Sequence, residues 1–282
     1  MTRTRIIDDK TIIERTSQLI LKSSFELPSD VINTIKKAHK GSKNAKEKML
    51  LNVILKNAEM AKKEKLALCQ DTGISCLFVE VGTDVKTTTP INELMDKAVE
   101  KAYRSGCLRP SIIDDPLKGK NTKLNIPASI SIEHTRRKGL KISFLAKGGG
   151  SENASGLFML NPSDGFEGIK RSVLSLVKEK GPNCCPPIIV GIAIGGTADK
   201  ALLSSKKALL RGLGKRNGDK YYAAKELELK DLINRTGIGV MGLGGGCTAM
   251  DVFIEALPRH IATLALGVSI LCHSARRGSI EL

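Results

Sequence analysis

The hydrophobic period of this chain changes once, near residue 65, and that change restricts the folds open to it. Before it, apolar residues recur at helical spacing: Ile12, Ile13, Leu19, Ile20 and Leu21, then Met49, Leu50, Leu51, Val53, Ile54, Leu55 and Met60 among lysines. Pro28-Ser29-Asp30 carries a helix-start signal between the two runs, and Gly41 a stop signal. Residues from about 10 to 65 therefore predict a helical N-terminal region, a packing or dimerisation layer without chemistry of its own. After the change come short apolar or alternating segments. Residues 75–82 read as a strand and 91–105 as a helix, while 129–133 and 140–145 alternate with period two. Thr135-Arg136-Arg137-Lys138-Gly139 lies between the last two and reads as a hairpin turn, which gives at least one antiparallel pair. Residues 188–194 predict a buried strand, Gly195-Gly196-Thr197 a turn, 198–213 a helix, and 251–257 and 264–272 two further apolar segments. The expected class is α/β (mixed α+β), a helical layer followed by mixed sheets flanked by helices. No internal repeat or low-complexity linker breaks the chain, so a single domain over 1–282 is the expectation.

Composition narrows how such a fold is filled. Aromatic residues make up 3% and Trp is absent, so Ile, Leu, Val and Ala must supply the interior. No run of about 18 apolar residues occurs, against a membrane-spanning helix. Met1-Thr2-Arg3-Thr4-Arg5-Ile6-Ile7 lacks the apolar stretch of a secretory leader, and a cytoplasmic protein is expected. The formal charge of +16 first suggests nucleic acid. Yet the charge is dispersed over Lys36-Lys37, Lys62-Lys63, Arg136-Arg137-Lys138, Lys206-Lys207 and Arg276-Arg277, and stacking aromatics are nearly absent. A solvated lysine-rich surface, or a partner subunit of opposite charge, explains it better.

Glycine and cysteine carry the chemical signal. Lys147-Gly148-Gly149-Gly150-Ser151-Glu152-Asn153, Gly195-Gly196-Thr197 and Gly242-Leu243-Gly244-Gly245-Gly246 each suit close backbone approach to an anion, or simply a tight turn. Gly237-Ile238-Gly239-Val240-Met241-Gly242 matches the dinucleotide fingerprint in letters only, since a helical pattern precedes it and more glycine follows. Seven cysteines stand at 69, 76, 107, 184, 185, 247 and 272, with no CxxC pair of the kind a structural zinc site uses. Cys76, Cys107 and Cys184 fit small buried hydrophobes, and Cys247 follows a glycine run that could line a pocket. Cys69, Cys185 and Cys272 lie at junctions of predicted elements with loops. Three buried thiols or three ligands are both compatible with their spacing. As ligands they would leave one iron of a four-iron cluster open to a substrate oxygen.

Six motifs occur in order: Cys69-Gln70-Asp71-Thr72-Gly73, Leu108-Arg109-Pro110, residues 147–153, Cys185-Pro186-Pro187 with Ile194-Gly195-Gly196-Thr197, Leu257-Pro258-Arg259-His260, and Cys272-x-x-Ala275-Arg276. The set resembles the iron–sulfur hydro-lyases, class I fumarase and L(+)-tartrate dehydratase, from about Ser23 to the C-terminus. The resemblance implies the α subunit of the two-subunit form, equivalent to the N-terminal domain of the single-chain enzymes. A separate β subunit would carry the swivelling C-terminal domain, and an α2β2 assembly is the expectation. It further implies a [4Fe-4S] cluster held by Cys69, Cys185 and Cys272, around which the mixed sheets are arranged. Asp71 and His260 are then the catalytic candidates. Gln70, Arg109 and the Gly148, Gly149 and Gly150 backbone are the candidates for gripping a dicarboxylate. Each has a structural reading beside it: Asp71 as a cap of the Thr72-Gly73 turn, Arg109 as an ion pair with Asp114 or Asp115, His260 as a satisfied core histidine. The preferred reaction is hydration of fumarate and dehydration of (S)-malate. L(+)-tartrate dehydration and a cluster-binding regulatory protein without catalysis stand as alternatives.

Overall fold

The computed structural model describes residues 5–282; the first four residues, part of the segment read above for a leader, lie outside it. Its helices are α1 (Asp9–Phe25), α2 (Ser29–Gly41), α3 (Ala45–Glu64), α4 (Ile91–Ser105), α5 (Gly149–Glu152), α6 (Gly165–Lys180), α7 (Ala198–Ala208) and α8 (Lys220–Asn234). Apart from a two-residue strand at the start, the strands alternate with them after residue 70. They are β1 (Arg5–Ile6), β2 (Ile74–Gly82), β3 (Val85–Lys86), β4 (Ser129–Thr135), β5 (Leu140–Lys147), β6 (Gly156–Leu160), β7 (Ile188–Ile194), β8 (Ala249–Ala256), β9 (Leu264–Leu271) and β10 (Arg277–Glu281). The mixed α/β class expected from the sequence is what the chain adopts. No helix among the described residues is long and apolar enough to cross a membrane.

The chain forms two compact units. The first unit comprises residues up to 28, 57–149 and 276–282. Its sheet runs β10-β5-β2-β4, and β1 pairs separately with β3. Leu77, Val79 and Val81 of β2 pack with Leu140, Ile142 and Phe144 of β5 against Ile12, Leu19 and Ile20 of α1 and Leu94, Met95 and Val99 of α4. The Asp8 carboxylate starts α1 by accepting the Thr11 N–H at 2.9 Å.

The expected hairpin between residues 129–133 and 140–145 does not form. Strand β2 lies between them, parallel to β4 (Val79 opposite Ile132) and antiparallel to β5 (Val79 opposite Ile142). The antiparallel pair thus exists with a different partner. Burial supplies the reason: β2 is buried along nearly its whole length and needs a neighbour on each side, whereas half-exposed β4 suits an edge. The segment after β4 is anchored at the end of β2, where the Gly82 N–H donates to the Gly139 carbonyl at 2.9 Å.

The second unit comprises residues 29–56 and 150–275. Its sheet runs β6-β9-β7-β8, with β7 parallel to β8 and antiparallel to β9. Strand β7, Ile-Ile-Val-Gly-Ile-Ala-Ile, is buried throughout. Two glycines let α7 lie close on this sheet: a Cβ on Gly191 would fall 2.1 Å from the Ser205 carbonyl oxygen, and one on Gly267 2.3 Å from that of Ala201. Helix α7 ends at Ala208, short of the expected residue 213. Leu209, Leu210 and Arg211 tighten into i to i−3 bonds, and the Leu213 N–H goes to the Asp30 carboxylate at 2.8 Å. Strands β6 and β10 and helix α6 were not anticipated.

Candidate active site

In the first unit the loop before β2 gathers several of the expected residues on one hydrogen-bonded frame. Asp71 accepts the Gly73 N–H on Oδ1 at 3.0 Å and the Gly149 N–H on Oδ2 at 2.7 Å. It does cap the turn, as its structural reading held, and it also ties the loop to the end of β5. Thr72 is buried, and its hydroxyl donates to the Arg109 carbonyl at 2.5 Å. The Asn125 side chain, fully buried, donates to the Gly73 carbonyl at 3.2 Å and accepts the Ser111 N–H at 2.8 Å. Tyr103 adds its hydroxyl to the Gly73 carbonyl at 3.1 Å. Burial pushes that phenol above its usual range, the Thr72 contact pulls it down, and the charges of Arg276 and Asp71 act on it in opposite directions.

This frame holds the loop backbones while leaving the polar ends outside. Gln70 and Arg109 are exposed, and Cys69 and Asp71 are half-exposed. The ion-pair reading of Arg109 fails, because Asp114 accepts the Lys120 N–H and Asp115 those of Leu117 and Lys118. Among the described residues, the Arg109 guanidinium is not paired with either acid. A guanidinium held by its main chain and open at its fork suits bidentate capture of a carboxylate. Gly148 has a spatial role: a Cβ there would fall 2.7 Å from Asp71 Oδ2 and 3.6 Å from Arg276 Nη2. The Gly149 N–H is already committed to Asp71, and Gly149 is exposed.

In the second unit, Cys185 follows the 3₁₀ turn Gly181–Cys184 and is separated from β7 by Pro186 and Pro187, and Cys272 directly follows β9. Because these strands are antiparallel, both cysteines stand at the same end of the sheet. His273 joins them: its backbone N–H and its ring Nδ1 both meet the Cys185 carbonyl, at 3.3 and 2.8 Å. A carbonyl only accepts, so Nδ1 carries the proton in that contact. Cys185 adopts a left-handed backbone (φ 51°) and its side chain is exposed. Gly150, exposed, accepts on its carbonyl from the buried Cys184 thiol at 3.5 Å.

His260 does not join this end. It follows β8, which is parallel to β7, so it lies at the far end of the sheet from Cys185 and Cys272. The pairing from Ile189–Leu271 to Ile194–Leu266 alone covers five residue steps, about 17 Å at the rise of a strand. The core-histidine reading also fails, since His260 is exposed. Its Nδ1 accepts the Ala262 N–H at 3.2 Å, and Arg259 spans the carbonyls of His260, Ile261 and Thr263 to hold the loop.

The thiols sort by environment. Cys76 and Cys184 are buried, as expected of packing residues, whereas Cys107 is exposed. Cys247 lines a cavity of about 600 Å³ in the second unit with Lys37, Lys43, Glu47 and Lys230. Burial first, then the Glu47 charge, push its thiol up to about 11, against the pull of Lys230. Its N–H donates to Glu47 at 2.8 Å, and it is a poor thiolate ligand. Cys69, Cys185 and Cys272 are all solvent-accessible, at element ends, with soft donors of the kind iron–sulfur clusters use. Among the described residues no three His, Cys, Asp or Glu side chains converge on a single ion.

The residue that sequence reasoning passed over is Arg276. It lies only in the tail of the last motif, yet it is 2% exposed and its Nη1 donates to the Asp71 carbonyl at 2.6 Å.

Comparison with known proteins agrees with the ordered motifs. A family model described as fumarate hydratase (Fumerase) matches residues 13–281. A Methanocaldococcus jannaschii protein, provisionally named L(+)-tartrate dehydratase subunit alpha, is 43% identical over 267 residues, covering 92% of this chain and 93% of its own. The L(+)-tartrate dehydratase subunit alpha of Escherichia coli K12 is 31% identical over 260 residues, 91% of this chain and 86% of that protein. The protein of the same name from Shigella sonnei matches at 31% over 260 residues, with the same coverage.

Proposed function

Because the chain belongs to the fumarate hydratase (Fumerase) family, we propose that it is the α subunit of an iron–sulfur hydro-lyase acting on a C4 2-hydroxy dicarboxylic acid. One observation carries the reading: the frame that ties Cys69, Gln70 and Asp71 through Thr72 to an Arg109 without an acid partner. It sets a thiol, an amide, a carboxylate and an open guanidinium on neighbouring backbone, the groups a hydroxy diacid requires. Cys69, Cys185 and Cys272 would hold the cluster, with residues 1–282 acting as one α-subunit domain. The assignment of those ligands rests on the family motifs together with the accessibility of the three thiols.

When bound, a cluster with three thiolate ligands supplies a Lewis acid that makes the substrate hydroxyl a feasible leaving group. The protein's own residues do the rest. Arg109 grips one substrate carboxylate through paired N–H groups, and the Gln70 amide donates beside it. Asp71, with each oxygen already holding one backbone N–H, keeps a second acceptor position, where it accepts a hydrogen bond from the substrate hydroxyl and orients it; the proton stays on the departing oxygen. Gly148 leaves room for that carboxylate, and Gly150 remains a backbone donor. Gly149 acts on Asp71 instead of substrate, and His260 receives no step in this site. The base that takes the proton from the adjacent carbon is assigned to the β subunit, whose presence the relatives' subunit names support.

Those names also weigh on the substrate. The sequence favoured fumarate and (S)-malate; relatives named for L(+)-tartrate covering nearly the whole chain favour tartrate. The test is anaerobic co-expression with a β subunit, followed by turnover assays on L(+)-tartrate, (S)-malate and fumarate. We expect kcat/KM for tartrate at least roughly tenfold above that for malate, the discrimination one polar group commonly gives. Preference for malate would restore the fumarase reading. Full turnover by this chain alone would remove the β subunit. A loaded cluster with no turnover on any diacid would leave a regulatory protein.

A further inference from the structure

Arg276 is an expensive residue for this fold to keep. It is among the largest fully buried side chains, at 2% exposure, and its backbone is pinned where the Ala146 N–H donates to the Arg276 carbonyl at 2.9 Å. Of the five N–H groups of a guanidinium, Nη1 donates to the Asp71 main-chain carbonyl at 2.6 Å and Nε has no partner. Among the described residues no carboxylate stands within ion-pair distance of it. A buried charge in that state is normally neutralised, paired or replaced. Here it is retained beside the loop that carries Cys69, Gln70 and Asp71.

The surroundings say what the charge does. A Cβ on Gly148 would fall 2.7 Å from Asp71 Oδ2 but at an ordinary contact distance, 3.6 Å, from Arg276 Nη2, so its absence is what admits the Asp71 carboxylate next to the guanidinium. Both charges reach the Tyr103 phenol, which itself hydrogen-bonds the Gly73 carbonyl. The Asp71 residue is thereby held at three points, by Gly73 and Gly149 on its carboxylate and by Arg276 on its carbonyl. We propose that Arg276 is a positioning residue, whose buried guanidinium fixes the Asp71 peptide and supplies an unneutralised positive charge behind the loop that receives the anionic substrate. This rests on the hydro-lyase reading. A preorganised charge of this kind favours negative charge developing on the reacting oxygen without any rearrangement at the moment of reaction.

Three variants of the holoenzyme test it: Arg276→Met, Arg276→Lys and Gly148→Ala, each assayed for kcat and KM per iron-loaded chain and for its melting temperature. Arg276→Met keeps the bulk and removes the charge, so it should melt as high as wild type or higher. Its kcat should fall on the order of 10²-fold with KM changed less than about threefold, the signature of an interaction used in the transition state. Arg276→Lys, which keeps the charge, should recover part of kcat. Gly148→Ala, which displaces the Asp71 carboxylate without touching Arg276, should also lose kcat. If Arg276→Met melts well below wild type while its kcat per loaded chain stays within about threefold, the residue is structural and the proposal is overturned. Should wild type turn over no diacid, the hydro-lyase reading falls separately, and melting decides the rest: a stable Arg276→Met keeps the charge a functional element, an unstable one overturns it.

Discussion

Two regions of this protein hold arginine in or against the interior, and they do so in opposite ways. In the second unit, Arg211 and Arg216 converge on Glu226 and Asp251, which are 0% and 1% exposed. Arg211 bonds Glu226 and Glu255, and Arg216 bonds Asp251 and reaches Glu226 at 3.5 Å. The carboxylates also accept the backbone N–H groups of Ile254 at 2.9 Å, Asn217 at 3.1 Å and Gly214 at 2.7 Å. Both guanidinium groups lie over the Phe253 ring. In the first unit, Arg276 has a carbonyl and no acid. The paired network fastens the segment after α7 to β8. The unsatisfied arginine stands beside the residues expected to meet substrate. Complete pairing marks structure, and incomplete pairing marks a place where an anion is to arrive.

The strongest way to break this contrast is to remove an acid from the satisfied network. Glu226→Ala leaves Arg211 and Arg216 short of a partner and should cost about 3–5 kcal/mol. Thermal melting should show a fall of roughly 10 °C at this chain size. A Glu226→Ala protein as stable as wild type would erase the distinction. On the other side, Asp71→Asn should leave the melting temperature within about 2 °C. Its kcat should drop on the order of 10²-fold, the usual range for losing one oriented hydrogen bond at the reacting oxygen. Steady-state kinetics at matched iron content checks this.

Cys247 gives a smaller, pH-dependent effect. Its thiol is raised to about 11 in the folded protein by burial and Glu47, against roughly 8.5 for a free thiol. The folded state therefore holds this proton more tightly. That contribution is present in full below the unfolded value and is lost as pH rises towards about 11, on the order of 3 kcal/mol in all. Melting of wild type and Cys247→Ala across that window should show the steeper decline in wild type; parallel curves would remove the effect. Least of all, Arg235→Ala breaks an exposed i, i+4 pair with Asp231 at 2.7 Å and should cost no more than about 0.5 kcal/mol. Urea unfolding of this variant sets the background against which the others are read.

Much of the scaffold was legible because local chemistry fixes it. The stop at Gly41, the start after Pro28 and the buried run of β7 emerge at the expected places. Strand partners did not, because alternation in β4 and β5 says which face is buried but not which neighbour lies between. Only the long buried stretch of β2 decides that. For the site, Cys69, Gln70, Asp71 and Arg109 were readable as motifs, and Thr72 joins them through a bond the letters do not show. His260 was readable as a motif and misplaced as a neighbour, since a parallel β7–β8 pair sends it to the other end of the sheet. Arg276 was invisible as a functional group because its burial and its missing acid are properties of packing alone. His273 escaped for the same reason, as its contact with Cys185 joins residues 88 positions apart.

The most direct test of the iron–sulfur assignment is iron and acid-labile sulfide per chain after anaerobic reconstitution. Wild type should hold about four of each. Cys69→Ser, Cys185→Ser and Cys272→Ser should each lose most of that load, while Cys76→Ser and Cys247→Ser keep it. Full loading in any of the first three variants would contradict the three-thiolate site from which the whole account proceeds.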